Sequence, residues 1–322
     1  MITKKISLKE IAEGSIKFIS MRLGRTLFSM HIEVTRRCNA RCSFCDYWKE
    51  GHKFRELSDY SPIVFKFRPL TVTITGGEPL LRKDLENVIR QIVEKNSFLY
   101  MNCISNGILM TPDRALSLWN AGLTQISISL DFPDERHEEQ RGVKGLWEHI
   151  KLLAVELPKT GIDNLAFNTV IMKENLKDLP KIVQFAHEHG WKVSFSTYNP
   201  YKNQNSAHRL DPNEIRNIEK AVEQLLTLKR TYRNITNSDF YLKMIIPYVR
   251  DGGIKGCLAG KKWFHVSPDG RIRRCSEKEF LGSWQEVNIK NVSLTECTEC
   301  WYACRGEAEA PLNLSRIIEL NR

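Results

Sequence analysis

The segment Cys38-Asn-Ala-Arg-Cys42-Ser-Phe-Cys45 carries three cysteines in the spacing CxxxCxxC, and it says more about this chain than any other stretch. A loop with this spacing can fold three thiolates around one point and leave a fourth ligand position empty. Four-iron clusters usually take four cysteines, so three leave one iron without a protein ligand. Because an open metal position is typical of catalytic sites, the spacing predicts an enzyme rather than an electron carrier.

Two other interpretations of the three cysteines remain open at this point: a structural zinc site and buried, unreactive thiols. Cysteine fills 9 of the 322 positions, so three at one fixed spacing are rare by chance. Structural zinc sites generally combine two separated Cys or Cys/His pairs, and no second pair lies near this segment. The spacing therefore favours an iron-sulfur cluster over zinc.

A second segment places a glycine pair at the end of a predicted strand. Thr71–Thr75 is rich in β-branched residues and runs directly into Gly76-Gly77-Glu78-Pro79, after which a helical pattern begins. Paired glycines leave backbone groups approachable by a ligand, and the Glu78 carboxylate can neutralise an ammonium group. The loop therefore suits the amino-acid end of a small molecule. An ordinary strand-to-helix turn, with Pro79 starting the helix, is the alternative.

Together, the two segments resemble the radical S-adenosylmethionine (SAM) superfamily, in which a CxxxCxxC loop follows the first barrel strand and a GGE motif follows the second. The resemblance implies that Cys38, Cys42 and Cys45 ligate a 4Fe-4S cluster whose remaining iron chelates the amino and carboxylate groups of SAM. It also implies that Gly76, Gly77 and Glu78 hold the methionyl amino group and that Phe44 lies near the adenine.

The resemblance continues with the molybdenum cofactor biosynthesis protein A branch of that superfamily. Strand 100–105, which leads into Asn106-Gly107, and strand 126–131 are similar to strands that approach the SAM ribose. Ser105 and Ser129 are the hydroxyl donors implied there, with strand termination or a satisfied buried hydroxyl as the alternative. Segment 164–171 also resembles that branch, but Ala166 replaces an expected basic residue and the arginine-rich, glycine-ended tail is missing. These departures argue against a nucleotide substrate.

Strand-like and helical patterns alternate along the chain, which predicts parallel strands wrapped by helices. The resemblance implies a partial (β/α)6 TIM-like barrel with active residues at the carboxyl ends of the strands. Cys103 lies alone inside an apolar strand and is predicted to be a small core residue. The predicted strands are 31–35, 71–75, 99–105, 125–130, 164–171 and 192–197, and the predicted helices are 80–94, 112–121, 145–157, 175–190 and 211–230.

The C-terminal part contains five of the nine cysteines: Cys257, Cys275, Cys297, Cys300 and Cys304. A Pro-Asp-Gly turn before Cys275 predicts a hairpin that presents Cys275 back toward Cys257. The arrangement is similar to the twitch and SPASM extensions of radical SAM enzymes and implies a second, auxiliary 4Fe-4S cluster. Cys257 and Cys275 are the first two expected ligands of this cluster, and Cys297 and Cys300 are the favoured second pair. Cys304 is a substitute ligand or a free thiol. A zinc ribbon is the alternative.

Three domains are predicted: a basic amphipathic helix over 1–25, a radical SAM core over 26–235 and an auxiliary-cluster domain over 236–322. The first has an apolar face suited either to a membrane surface or, as the favoured interpretation, to packing on the barrel. The net charge of +10 is dispersed, so no specific nucleic-acid partner is expected. The apolar face consists of Leu8, Ala12, Ile16, Ile19 and Leu23.

The chain lacks an apolar run of membrane-spanning length and the hydrophobic region of a signal peptide, so we expect a cytoplasmic protein, with peripheral membrane contact through the first helix as an option. The resemblance implies that a flavodoxin- or ferredoxin-like donor reduces the first cluster, that SAM is cleaved to a 5'-deoxyadenosyl radical, and that this radical abstracts hydrogen from a substrate carbon. The auxiliary cluster would then accept an electron from the substrate radical.

The expected substrate is a peptide, which would need a separate recognition module, or a small metabolite, and no catalytic side chain is assigned. One alternative is radical modification of an isoprenoid or phospholipid at the membrane surface. The other is an iron-sulfur or zinc binding protein without SAM chemistry, for which Gly76-Gly77-Glu78 would have no use.

Overall fold

The computed structural model describes residues 8–24, 26–50 and 54–311, so the outer ends of the predicted first and last domains lie outside the described residues. Its strands are β1 Ser29–Thr35, β2 Thr71–Gly76, β3 Tyr100–Ser105, β4 Gln125–Ser129, β5 Leu165–Ile171, β6 Lys192–Thr197, β7 Trp263–Val266, β8 Arg271–Arg273 and β9 Phe280–Ser283. Its helices are α1 Leu8–Arg22, α2 Ser61–Phe67, α3 Leu85–Lys95, α4 Pro112–Ala121, α5 Arg136–Arg141, α6 Leu146–Lys159, α7 Leu179–Glu188, α8 Ile215–Tyr232, α9 Asp239–Arg250 and α10 Ala303–Glu309.

All nine strands join one sheet in the order β6-β5-β4-β3-β2-β1-β7-β8-β9. Strands β1 to β6 pair in parallel with their neighbours, and helices connect them. The six strands predicted from the sequence are all present, with ends that differ by at most two residues, and the predicted α/β fold with a partial (β/α)6 barrel is confirmed.

Three helices begin four or five residues later than predicted because short turns precede them. Helix α8 begins at Ile215 rather than at residue 211, after a 3-10 turn over Pro212–Glu214. Residues 79–81 form a 3-10 turn, so α3 begins at Leu85 rather than at residue 80. Before α7, the Asn175 amide donates hydrogen bonds to the carbonyl oxygens of Asp131 and Val170, at 2.9 and 2.8 Å. This side chain ties residues 175–178 to the ends of β4 and β5, and the helix starts at Leu179 with a proline in its first turn.

The core lies between the sheet and its helices. Alternate residues of each strand face the helices, as Met30, Ile32 and Val34 do in β1, and all three are fully buried. Cys103 is 1% exposed in the same core, as predicted. The other alternate positions, which face the concave side of the sheet, are mostly polar. We call the following set the lumen residues: His31, Glu33, Thr73, Thr75, Asn102, Ser127, Ser129, Asn168, Ser194 and Ser196.

The C-terminal part extends the same sheet. Strand β7 pairs in parallel with β1, and β8 and β9 continue the sheet in antiparallel pairs. The predicted turn joins β7 to β8, with the Gly270 amide donating to the Ser267 carbonyl oxygen at 2.9 Å and Gly270 at a φ of +83°. The hairpin therefore lies directly beside the first strand of the barrel.

Helix α1 contacts the barrel, but not through the face that the apolar pattern predicts. Lys17 is 5% exposed, and its ammonium donates to the carbonyl oxygen of Phe98 at 2.7 Å, with those of Pro69 and Ser97 at 3.4 and 3.3 Å. Glu13 accepts a hydrogen bond from the Phe98 amide at 3.0 Å. A lysine that satisfies three carbonyl groups decides which face of the helix docks.

Three residues of the predicted apolar face of α1 consequently point away from the barrel, and the side chain of Leu8 lies outside the described residues. Ile16, Ile19 and Leu23 are 61%, 58% and 62% exposed. The expectation that this face is buried against the barrel is therefore wrong for these three residues. None of the helices in the described ranges combines the length and apolar content needed to cross a bilayer.

Candidate functional site

The CxxxCxxC loop follows β1 at the carboxyl end of the parallel strands, where catalytic groups of such folds gather. Burial raises the pKa of the Cys42 thiol to about 12, and the neighbouring thiols of Cys45 and Cys38 add to this effect. Burial also raises the pKa of Cys38. A metal that binds thiols displaces their protons, so a metal at this loop would have to overcome the raised pKa values of Cys38 and Cys42.

Gly76, which ends β2, and Gly77 pack on the backbone that leads into the cysteine loop. The Gly77 amide donates to the Thr35 carbonyl oxygen at 2.7 Å. A Cβ atom on Gly77 would lie 2.2 Å from the Arg37 carbonyl oxygen, and one on Gly76 would lie 2.1 Å from that of Thr35. Glycine is therefore required at both positions because two segments of the chain come into contact there. The sequence predicted these glycines only as backbone that a ligand could approach, and it did not predict this contact.

Glu78 joins the ends of two strands. Its buried carboxylate accepts hydrogen bonds from the Leu80 amide at 3.1 Å, the Ser105 hydroxyl at 2.8 Å and the Asn106 amide at 2.7 Å. Ser105 also accepts a hydrogen bond from the Gly107 amide at 3.0 Å. Burial raises the pKa of Glu78. A carboxylate has about four lone-pair sites, so these contacts occupy most of its capacity. The SAM roles of Glu78 and Ser105 stay predictions, and their observed contacts position the loop.

Arg141 is a buried cation beside the cysteine loop that no pattern in the sequence singles out. Its guanidinium donates to the Asp131 carboxylate at 2.7 and 2.9 Å, and its charge lowers the pKa of Cys42 against the effect of burial. The Arg141 carbonyl oxygen accepts from the Arg41 amide at 2.9 Å, so α5 also anchors the loop. Nothing in the local pattern pairs residue 141 with residue 42, because the contact exists only in the folded chain.

Phe44 lies between this cation and the segment that follows β6. The Arg141 guanidinium is 5.1 Å from its ring centroid, and the rings of Tyr198 and His208 approach it edge-on at 6.5 and 6.4 Å. His208 Nε2 lies 2.9 Å from the Ser43 hydroxyl, so the segment after β6 contacts the cysteine loop directly. Ser129 ends β4 and is 5% exposed. Contacts of Phe44 and Ser129 with SAM stay predictions.

The five C-terminal cysteines line one cavity, which is open to solvent. Arg305 holds two of its walls together, since its guanidinium donates to the carbonyl oxygens of Cys300 at 2.9 Å and Ile254 at 2.7 Å. Burial raises the pKa of Cys275 to about 11. The hairpin therefore does bring Cys275 and Cys257 to the same cavity, as the sequence predicts.

The spacing of these side chains bears on the zinc alternative. A tetrahedral zinc ion holds each sulfur at about 2.3 Å, which draws the thiolates tightly together. Among the residues that the structure describes, no three His, Cys, Asp or Glu side chains are grouped closely enough to hold one metal ion. This holds for Cys38, Cys42 and Cys45 as well as for the five C-terminal cysteines, so the zinc alternative for the C-terminal cavity stays open.

His265 connects this cavity to the concave side of the barrel. It lines the cavity with the five cysteines, and its ring stacks on His31 of β1 with centroids 4.9 Å apart and planes 4° from parallel. Its Nδ1 atom lies 3.6 Å from a carboxylate oxygen of Glu33. The cysteine cavity and the lumen residues therefore share one wall.

Comparison with known proteins gives matches over most of the chain. Residues 32–186 match the model of the Radical SAM superfamily. A probable GTP 3',8-cyclase of Methanococcus maripaludis is 29% identical over 217 residues, which cover 65% of this chain and 72% of that protein. An AdoMet-dependent heme synthase of Oleidesulfovibrio alaskensis is 25% identical over 299 residues, covering 84% of this chain and 73% of that protein.

The fold is also similar to solved structures. The crystal structure of Streptococcus suis SuiB bound to S-adenosylmethionine superposes with a TM-score of 0.66 at 17% identity, covering 87% of this chain and 69% of that chain. A further structure shows SuiB bound to the precursor peptide SuiA. At this level of identity, the likeness shows a shared fold.

Proposed function

The chain belongs to the radical SAM superfamily and is an enzyme of that class, and on this premise we propose that it oxidises a polar substrate, a peptide or a small polar metabolite, on the concave side of its sheet. The cluster and SAM, when bound, supply a 5'-deoxyadenosyl radical that takes a hydrogen atom from a substrate carbon, and the protein supplies binding, orientation and exclusion of water.

Cys38, Cys42 and Cys45 would hold the cluster. Near them, the buried Arg141 guanidinium offers a cation for the SAM carboxylate, and Phe44 offers an aromatic surface for the adenine. Glu78 and the glycine pair fix the loop against the strand ends, with the remaining acceptor capacity of Glu78 directed to the methionyl ammonium group. The role of Arg141 is supported by its burial beside Cys42.

The lumen residues support a polar substrate. A filled barrel carries bulky branched side chains at such positions, whereas this set consists of hydroxyl, amide, imidazole and carboxylate groups. Groups of this kind recognise peptide bonds and polar side chains by hydrogen bonding. The same alternate positions also hold Ile104, Ala166, Val170 and, at the start of β6, Lys192, so this side of the sheet is mainly polar with an apolar part.

The auxiliary cysteines support an oxidative outcome. Cys257, Cys275, Cys297 and Cys300 are the proposed ligands of a second 4Fe-4S cluster, with Cys304 on the same cavity wall as the substitute. The observation that carries the proposal is the position of His265, which lines this cavity and stacks on a lumen residue. An electron acceptor in the cavity would lie close to a substrate held in the lumen.

Deuterium transfer tests the substrate class before the substrate itself is identified. Reduced holoenzyme is incubated with SAM and with fractions of a deuterium-labelled extract of the source cells. We expect deuterium in 5'-deoxyadenosine, read by mass spectrometry, with the peptide or polar-metabolite fraction, because the radical takes the hydrogen from the substrate. Label transfer from the lipid fraction alone would contradict the proposal, and the enzyme without SAM is the control.

A second function, contact of α1 with an anionic membrane surface, is favoured by the exposure of Ile16, Ile19 and Leu23. The sequence also contains Lys4, Lys5, Lys9, Arg22 and Arg25 in this part of the chain, a composition typical of helices that lie on anionic lipid. Because α1 contacts residues just before β2 and β3, it lies at the end of the sheet opposite the cysteine loop. That position favours membrane attachment over a lipid substrate.

Flotation with phosphatidylglycerol vesicles tests this contact. The wild type is expected to float with the vesicles, and Ile16→Asp/Ile19→Asp/Leu23→Asp is expected to lose most of this binding, because charged side chains remove the apolar face. The matched control is Leu152→Asp/Val155→Asp on α6, whose side chains are 56% and 43% exposed. Equal flotation of the triple variant and the wild type would rule out α1 as the contact.

A further inference from the structure

Glu33 is a carboxylate buried on the concave side of β1. It is 1% exposed, and it accepts hydrogen bonds from the Tyr47 hydroxyl at 2.6 Å and the Arg36 guanidinium at 3.1 Å. Although burial acts to raise its pKa, His265, Arg36 and Tyr47 outweigh burial and lower the pKa of Glu33 to about 2. The side chain is therefore an anion at neutral pH, fixed in one orientation.

His265 faces this anion from the neighbouring strand. The register pairs His265 with His31, and Nδ1 of His265 lies 3.6 Å from Oε1 of Glu33. A carboxylate at this position favours the tautomer with the proton on Nδ1, which places the lone pair of the ring at Nε2. It also stabilises the imidazolium that forms when Nε2 takes a proton. At 3.6 Å this is an ion-pair distance rather than a hydrogen bond, so the Glu33 carboxylate acts on the ring through its charge.

We propose that His265, positioned by Glu33, accepts the proton that a substrate radical releases as its electron passes to the auxiliary cysteine site. The proposal rests on the proposed function and deepens it by naming a proton acceptor. His265 would be the catalytic residue and Glu33 a positioning residue.

The substrate loses its two electrons and two protons in two stages. Hydrogen abstraction leaves a carbon radical next to an N–H, O–H or C–H group. Loss of one electron and one proton then converts the single bond between these atoms into a C=N, C=O or C=C bond. The electron passes to an oxidised iron-sulfur cluster in the cysteine cavity, and the proton passes to Nε2 of His265. The other electron and proton have left earlier, together, as the abstracted hydrogen atom.

The location of His265 suits this role because the proton acceptor and the proposed electron acceptor lie at the same cavity. An electron added in the cavity makes it more negative, and an imidazolium beside it compensates that charge. Once His265 carries a proton, its charge disfavours protonation of the stacked His31 ring, since two adjacent imidazolium ions repel each other. The ionisable groups that surround the pair on β1, its following loop and the cavity walls are His31, Arg36, Tyr47, Arg274, Glu277, Lys278, Glu299, Tyr302, Arg305 and the five cysteines.

A redox titration of the auxiliary cluster tests the proposal without a substrate. The background variant Cys38→Ala/Cys42→Ala/Cys45→Ala leaves the auxiliary cluster as the reporter, followed by electron paramagnetic resonance between pH 6 and pH 9. We expect its midpoint potential to fall as the pH rises, because protonated His265 favours the reduced cluster. Added His265→Gln should remove this pH dependence, and added Glu33→Gln should shift it to lower pH because the imidazolium loses its anionic partner.

The matched control is His149→Gln, a histidine of α6 whose Nε2 lies 3.0 Å from the Met110 carbonyl oxygen. It should keep the pH dependence of the background variant. An unchanged pH dependence in the His265→Gln variant, or a potential that is independent of pH in the background variant, would overturn the proposal. If His265→Gln takes up no iron, the Glu33→Gln shift decides. A background variant without any iron would instead refute the auxiliary cluster itself, and the proton acceptor with it.

Discussion

Replacing Cys38, Cys42 and Cys45 together by alanine is expected to abolish 5'-deoxyadenosine formation and to remove about half of the bound iron. The wild type should carry about eight irons in two four-iron clusters, and the variant about four. Reductive cleavage of SAM requires the cluster at this loop, so the rate should fall by at least about a thousandfold, to the background without enzyme. Iron analysis and chromatography of 5'-deoxyadenosine after anaerobic reconstitution measure both quantities.

The matched control for this variant is Cys103→Ala. Cys103 is 1% exposed in the core of the sheet and has no proposed ligand role, so its removal tests the loss of a thiol as such. It should retain about eight irons and SAM cleavage, with only a loss of stability from the small cavity. Full iron content and full cleavage activity in the triple variant would show that the radical site lies elsewhere.

The second large effect is expected from Cys257→Ala/Cys275→Ala. Both thiols line the C-terminal cavity, and their loss should remove the auxiliary cluster. SAM cleavage should remain within a few-fold of the wild type, because the first site lies on a separate loop. Product should nevertheless fall by about a hundredfold or more, since the substrate radical would form without an electron acceptor.

This uncoupling is measurable with the substrate-containing fraction of the labelled extract. Deuterium should still reach 5'-deoxyadenosine in the double variant, while the mass of the oxidised product should be absent. The same cysteine control, Cys103→Ala, should give both signals. Normal product formation by the double variant would show that the C-terminal hairpin has only a structural role. It would contradict the oxidative mechanism but not the assignment to the radical SAM enzymes.

The parts of the fold that could be predicted from the sequence are those encoded locally. Strands such as Thr71–Gly76 show in runs of β-branched residues, and α4 runs from Pro112 to Ala121 as predicted because Thr111 caps it and Gly122 ends it. The cysteine spacings and the turn before Cys275 are likewise short patterns in which each residue type has a direct chemical meaning.

The parts that could not be predicted depend on contacts between distant segments. Arg141 reaches the cysteine loop only after the barrel forms, and the requirement for Gly77 comes from the Arg37 carbonyl oxygen rather than from a ligand. Helix α1 shows the same limit. Its apolar periodicity predicts the wrong docking face, because the Lys17 ammonium lies within hydrogen-bond distance of three carbonyl oxygens of the barrel. The wall shared through His265 likewise follows from the pairing of β7 with β1.

The most direct test of an oxidative radical SAM enzyme with two clusters is the Mössbauer spectrum of protein reconstituted with ⁵⁷Fe, recorded with and without SAM. We predict about eight irons per chain, all in four-iron clusters, and a change at a single iron when SAM is added, because only the cluster at residues 38–45 has an iron without a cysteine ligand. One four-iron cluster with zinc in the C-terminal cavity, or a spectrum that SAM leaves unchanged, would contradict this account.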